Sequence, residues 1–164
     1  MNRIATIRLV LCIAFSSAAY AATVTPDGVL CHIARVGAKQ TLTDYYDKPE
    51  WMTIKRGIAS GEASWLKIYS DLKSVADAGA GEDLGDAIFE ALPRRPFEVI
   101  PLLTSGGEYT VKQICTFTFE SQVPAQGTRQ YLNELKRSLR KARTTDQLKI
   151  AHDCREGMEL TRKP

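Results

Sequence analysis

The chain holds only two histidines, His32 and His152, and four cysteines, and this scarcity removes most familiar site chemistries. No Cys-x-x-Cys pair and no His-Glu-x-x-His run is present, so the usual zinc-ligand spacings are missing. There is no Gly-x-Ser-x-Gly elbow to present a nucleophilic serine. Gly79, Gly81 and Gly85 follow no strand pattern and precede no lysine at phosphate-loop spacing, so they cradle no nucleotide. The sequence has no low-complexity tract and no linker. It also has no apolar stretch of the roughly 20 residues that a membrane-crossing helix needs. No cofactor is implied.

What is present begins with a three-zone N-terminus. Arg3 and Arg8 lead without any acidic residue, and Leu9, Val10, Leu11, Cys12, Ile13, Ala14 and Phe15 form a short apolar run. Small residues follow, with Ala19-Tyr20-Ala21 in the Ala-x-Ala cleavage pattern. Residues 1–21 therefore read as a signal peptide cut after Ala21, and residues 22–164 as a single all-α domain outside the cytoplasm, periplasmic or secreted. Cys12 does not make a lipoprotein site. Leu11 before it is too large, and the apolar run continues beyond it.

Charge narrows the partner. The full chain carries 22 basic and 19 acidic residues. Cleavage removes Arg3 and Arg8, which leaves a net charge of about +1, too balanced for a nucleic-acid binder whose affinity comes from a strongly basic face. A mature chain of this size suits one domain, burying roughly 68% of its unfolded surface.

Three cysteines survive cleavage: Cys31, Cys115 and Cys154. An oxidising compartment favours one pair plus one odd thiol, and three pairings are possible. Cys115–Cys154 is the expected disulfide, because the segments carrying them can neighbour one another across a helical hairpin. Cys31 then reads as a buried free thiol beside Leu30 and Ile33, or as an intermolecular link.

Apolar spacing predicts helices almost throughout. Val29, Leu30, Ile33 and Val36 mark the first, with Asp27 as cap and Gly37 as stop. Residues 38–47 read as a polar loop. Asp47-Lys48-Pro49-Glu50 resembles a capping box opening a helix with Trp51, Ile54 and Ile58. Trp65, Leu66, Ile68, Tyr69 and Leu72 give the next helix, residues 76–81 a small-residue turn, and Leu84, Ile88, Ala91 and Leu92 another helix with Glu82, Asp83 and Asp86 in its first turns. Pro93 ends that helix and Pro96 opens one with Val99, Ile100, Leu102 and Leu103. Thr110, Val111, Thr116, Phe117, Thr118 and Phe119 have strand character but no partner strand, so residues 109–119 read as an extended segment or a short helix around Cys115. Tyr131, Leu132, Leu135 and Leu139 mark a helix with a basic outer face. Thr144 and Gln147 then box the start of a last helix carrying Leu148, Ala151, Cys154 and Met158. The sum is an all-α orthogonal bundle of stacked hairpins, five to seven helices with one disulfide. Trp51 and Trp65 fall at core positions of this pattern.

Few residues compete for a chemical role. His32 beside Cys31, and His152 near Cys154, invite Cys–His catalysis, but helix neighbours one or two apart point about 100° and 200° away from each other. Asp83, Asp86 and Glu90 share a helix face without the tight glycine-centred loop that calcium needs. No catalytic or metal residue is assigned. The unusual surface is Lys136, Arg137, Arg140, Lys141 and Arg143, which can meet an acidic partner, anionic lipid or cell-wall carboxylates, or can be balanced internally by Glu134, Asp146 and Asp153.

From Gly61 to Leu103 the order Ser-Gly beside Trp65-Leu66, then Asp77-Ala78-Gly79, Leu84, Ala91-Leu92, Pro96 and Val99 with Leu102-Leu103 resembles small exported bacterial proteins built from HEAT-like helical hairpins and a Cys-containing C-terminal hairpin. The likeness lies in packing and turn positions and implies a fold, with no activity attached. In architecture the chain is also similar to small disulfide-bearing helical periplasmic immunity proteins that neutralise cell-wall-degrading toxins. The functional expectation is a non-catalytic domain that binds a protein in the envelope, as an immunity or inhibitor protein. An envelope hydrolase using His32 or His152, or an envelope stress or assembly factor, are the alternatives.

Overall fold

A computed structural model describes residues 24–118 and 123–161, so the expected signal peptide lies outside the described residues. These residues form nine helices and no strand. They are α1 (Pro26–Val36), α2 (Ala38–Tyr45), α3 (Pro49–Ser60), α4 (Ala63–Lys73), α5 (Ala78–Ala91), α6 (Pro96–Thr104), α7 (Val111–Ile114), α8 (Thr128–Leu139) and α9 (Thr145–Leu160). The fold class is all-α as expected, with more helices than five to seven. No helix of the described residues is long and apolar enough to cross a membrane.

The apolar stripes meet in one core. Ile54 and Ile58 of α3, Ile68 and Leu72 of α4, and Leu84 of α5 are all fully buried. Trp51 and Trp65 join them, at 4% and 7% exposure. Close approach of α3 to α4 depends on Gly57, where a Cβ would sit 2.3 Å from the Trp65 ring. Gly61 ends α3 in the left-handed region at φ 74°, the conformation glycine adopts without cost. Helix α6 links the two halves of the chain, packing on α4 and α5 on one side and on α7, α8 and α9 on the other. Pro96 supplies its first turn.

Several local expectations need correction. Residues 38–47 are largely helix, not loop. Thr41 and Leu42 are buried there, so tertiary packing outweighs the weak propensity of a polar stretch. The cap of α1 is Thr25, whose hydroxyl accepts from the Gly28 N–H, while Asp27 sits inside the first turn. Asp47 is no cap either: it adopts φ 61° in the α2–α3 turn, and Lys48 precedes Pro49 at the cap. Asp77 caps α5 through Ala80 N–H, so residues 78–81 belong to the helix and the acidic residues fall beyond its first turn. Leu148 faces solvent at 56% exposure, although Ala151 and Cys154 of the same helix are buried. Residues 109–119 contain the short α7, and its Thr110–Gln113 capping box is complete.

The sulfur chemistry settles in part as expected. Cys115 and Cys154 are joined across α7 and α9, with Cα atoms 5.1 Å apart and both residues fully buried. Cys31 is half-buried and disulfide-bonded, which corrects the reading of it as a free buried thiol.

A polar clamp ties α3 to α5. Trp51 Nε1 donates to Asp83 Oδ2 at 2.7 Å, and Lys55 Nζ to Asp83 Oδ1 at 2.6 Å. Burial opposes ionisation of Asp83, but the hydrogen bonds from Lys55 and Trp51 outweigh it and hold the carboxyl below its ordinary pKa. A carboxylate lowered in the folded state contributes stability above its unfolded pKa and loses that contribution as pH falls through the folded value. Asp83→Asn is therefore expected to flatten the acid limb. Its thermal midpoint should fall less than that of the wild type between about pH 5 and pH 2. Parallel acid limbs would show that the clamp does not couple to folding.

Candidate functional site

Helix α8 is built as a lever with one face in the core. Tyr131, Leu135, Ser138 and Leu139 are buried, and Tyr131 also stacks on Phe89 with ring centroids 4.7 Å apart. Its hydroxyl donates to the Phe89 carbonyl at 2.8 Å, so α8 is fixed in rotation as well as position. Burial pushes the Tyr131 hydroxyl far above its ordinary pKa, and it stays a neutral donor. The disulfide-stapled α7–α9 unit packs against α6, which also carries α8.

Fixing the apolar face dictates what solvent meets. Lys136, Arg137, Arg140, Lys141 and Arg143 are all exposed, as the amphipathic pattern predicts. At 100° per residue, Arg129, Lys136 and the cap residue Arg140 share one line along the helix, away from the buried face, with Arg137 beside it, while Lys141 and Arg143 lie past the end of α8. Arg129 is absent from the sequence-derived set. Its spacing of seven and eleven residues from Lys136 and Arg140 is the signal that identifies it.

Of the three acidic residues that could balance these cations, Glu134 and Asp153 are engaged elsewhere, and Asp146 is exposed in the first turn of α9 with no ion pair to any of them. Glu134, the one acidic residue of α8, lies toward Arg94, with Oε1 3.9 Å from the Arg94 Nε. Arg94 is anchored to the Ala59 carbonyl of α3 at 2.9 Å. Asp153 binds Lys149 at 2.5 Å and His152 at 3.2 Å, and both contacts lower its pKa. Among the described residues, none of the five predicted cations nor Arg129 forms an ion pair. Part of this basic surplus complements the α8 dipole, since Lys136 and Arg137 occupy its last turn.

The histidines do not assemble a catalytic set. His32 Nε2 lies 2.7 Å from Asp44 Oδ2, and Arg35 Nη2 lies 2.9 Å from His32 Nδ1. Arginine can only donate, so Nδ1 accepts and Nε2–H donates to Asp44. Both ring nitrogens are thus occupied in buttoning α1 to α2. The hydrogen bonds from His32 and Gln40 hold Asp44 below its ordinary pKa. His152 is exposed, and Cys154, two residues on, is consumed by the disulfide.

Among the described residues, two of the surface grooves are lined by neither a histidine nor a cysteine. One of about 520 Å³ lies between α1, α2 and α4, floored by Leu30 and Ile33 and crossed by the Lys67–Asp71 pair. One of about 550 Å³ lies between α2 and the start of α5, beside Tyr46 and Asp77. No group of three or more His, Cys, Asp or Glu among the described residues is placed to hold a metal ion, and Asp83 of the Asp83–Asp86–Glu90 face is held by the α3 clamp. Set against protein-family models, curated proteins and solved structures, the chain matches none.

Proposed function

We propose that this chain is an exported, non-catalytic protein-binding domain that acts in the envelope by holding a macromolecular partner, most concretely as an immunity or inhibitor protein against an envelope-targeted enzyme. The observation that carries the reading is the exposed row of cations on α8, unpaired among the described residues, on a helix locked in place by a buried tyrosine. Mutually repelling charges without internal counter-ions cost stability, and a partner that supplies those counter-ions removes the cost. Export is supported by the three-zone N-terminus and by a buried disulfide, which forms and persists in oxidising compartments.

The test is retention. Purified mature chain immobilised on resin is expected to retain a stoichiometric protein from periplasmic extract, and its own N-terminus is expected to begin at Ala22. A chain that retains nothing across several growth conditions, or that is recovered from the cytosol with residues 1–21 intact, removes the reading.

A further inference from the structure

We infer that the α8 face docks a protein surface carrying a row of carboxylates, with Arg129, Lys136 and Arg140 as the central contacts, Arg137 beside them and Lys141 just past the end of the helix. The inference rests on the protein-binding reading and names the surface and the chemistry of the partner.

Three observations select that chemistry. The first is geometry: Arg129 to Arg140 covers about 16 Å along the helix, long enough for several carboxylates of an acidic helix or groove to sit in line. The second is residue type: four of the six cations at this end are arginines, counting Arg143, and a guanidinium fork takes a carboxylate with two parallel hydrogen bonds. The third is what the helix does not offer. Its apolar residues Tyr131, Leu135 and Leu139 are fully buried and Leu132 is half-buried against the core, so the helix has no exposed apolar side chain to enter the acyl region of a bilayer. No aromatic ring accompanies the cations to stack on bases, and the whole-chain charge of +3 is small for a nucleic-acid binder. Charge complementarity therefore points to an acidic protein.

The test uses a defined probe. A 20-residue poly-glutamate peptide is titrated into the mature chain, with vesicles of phosphatidylglycerol as a second arm. Arg129→Glu/Lys136→Glu/Arg140→Glu is expected to weaken peptide binding at least tenfold. Lys39→Glu/Arg56→Glu/Lys73→Glu, three exposed positions on α2, α3 and α4, is expected to change it less than threefold. Both variants alter only exposed residues, and unchanged circular dichroism verifies their folding. Equal losses in the two variants would reduce the effect to net charge and overturn the inference. So would undetectable peptide binding at low salt, or tighter binding to the vesicles than to the peptide. The two readings fail separately. A periplasmic partner retained equally by wild type and the α8 variant sinks the α8 assignment and leaves protein binding standing. Poly-glutamate binding through α8 with no protein retained from extract does the reverse.

Discussion

Replacing Cys115 and Cys154 together with alanine is expected to lower the unfolding free energy by about 4 kcal/mol. The sulfurs close a loop with a sequence separation of 39, and chain entropy regained by the unfolded state sets that figure. The structure adds a local reason. Helix α7 is a single turn of four residues, far below the length at which an isolated helix is stable in water. It holds its shape through the Thr110–Gln113 capping box and its position through Cys115 and contacts with α6 and α9. Urea unfolding of the double variant should show a lower midpoint. Amide exchange should show α7 opening before α3, α4 or α5. Both cysteines are fully buried, so a folded protein should resist reductant until it opens. A variant within 1 kcal/mol of wild type, or one whose α7 amides remain protected, would show that packing alone fixes this hairpin.

The parts of the fold legible in sequence are those where periodicity, caps and proline agree. Trp51, Ile54 and Ile58 announce α3, and Thr144 with Gln147 announces α9, whose box is complete in the structure. The parts that are not legible are those decided by distant contacts. Residues 38–47 look like loop because Thr41, Thr43 and Asp44 are poor helix formers. They are helical because Leu42 is buried, Thr41 donates back to Gly37 O at 2.8 Å, and Asp44 reaches His32. The α7 helix was readable in principle, since Thr110 and Gln113 have capping-box spacing, but the threonines and phenylalanines after it carry a competing strand signal.

The basic surface shows the same division. The α8 pattern reveals that Lys136, Arg137 and Arg140 face out, because helix period and apolar stripe determine that without any tertiary knowledge. Whether Glu134 and Asp153 neutralise them depends on Arg94 and Lys149, which sequence spacing alone does not assign as their partners. The structure gives Glu134 to Arg94 and Asp153 to Lys149. A charge run that could have been a solvated, self-balanced face is thereby left in surplus.

Gly157→Ala tests how tightly that C-terminal unit is joined. A Cβ at this position would lie 2.3 Å from the Lys112 carbonyl oxygen and 3.0 Å from the Cys115 Cβ, distances at which the backbone of α7 must move. Alanine gains about 1 kcal/mol of helix propensity, and overpacking costs about 1–3 kcal/mol or more, with the obstacle here being backbone. A net loss near 2 kcal/mol is expected, outside the range of a surface change. Gly85→Ala on α5 is the matched control, because nothing lies within 4 Å of its Cβ position and only the propensity gain remains. It should stabilise by up to about 1 kcal/mol. The disulfide then makes a further outcome necessary. With Cys115 and Cys154 replaced, α7 is free to slide away from α9, so Gly157→Ala should cost less in that background. The double-mutant cycle should return a coupling of at least about 0.5 kcal/mol. Additive losses, or a Gly157→Ala variant as stable as Gly85→Ala, would mean that α7 yields without the cross-link holding it against the helix.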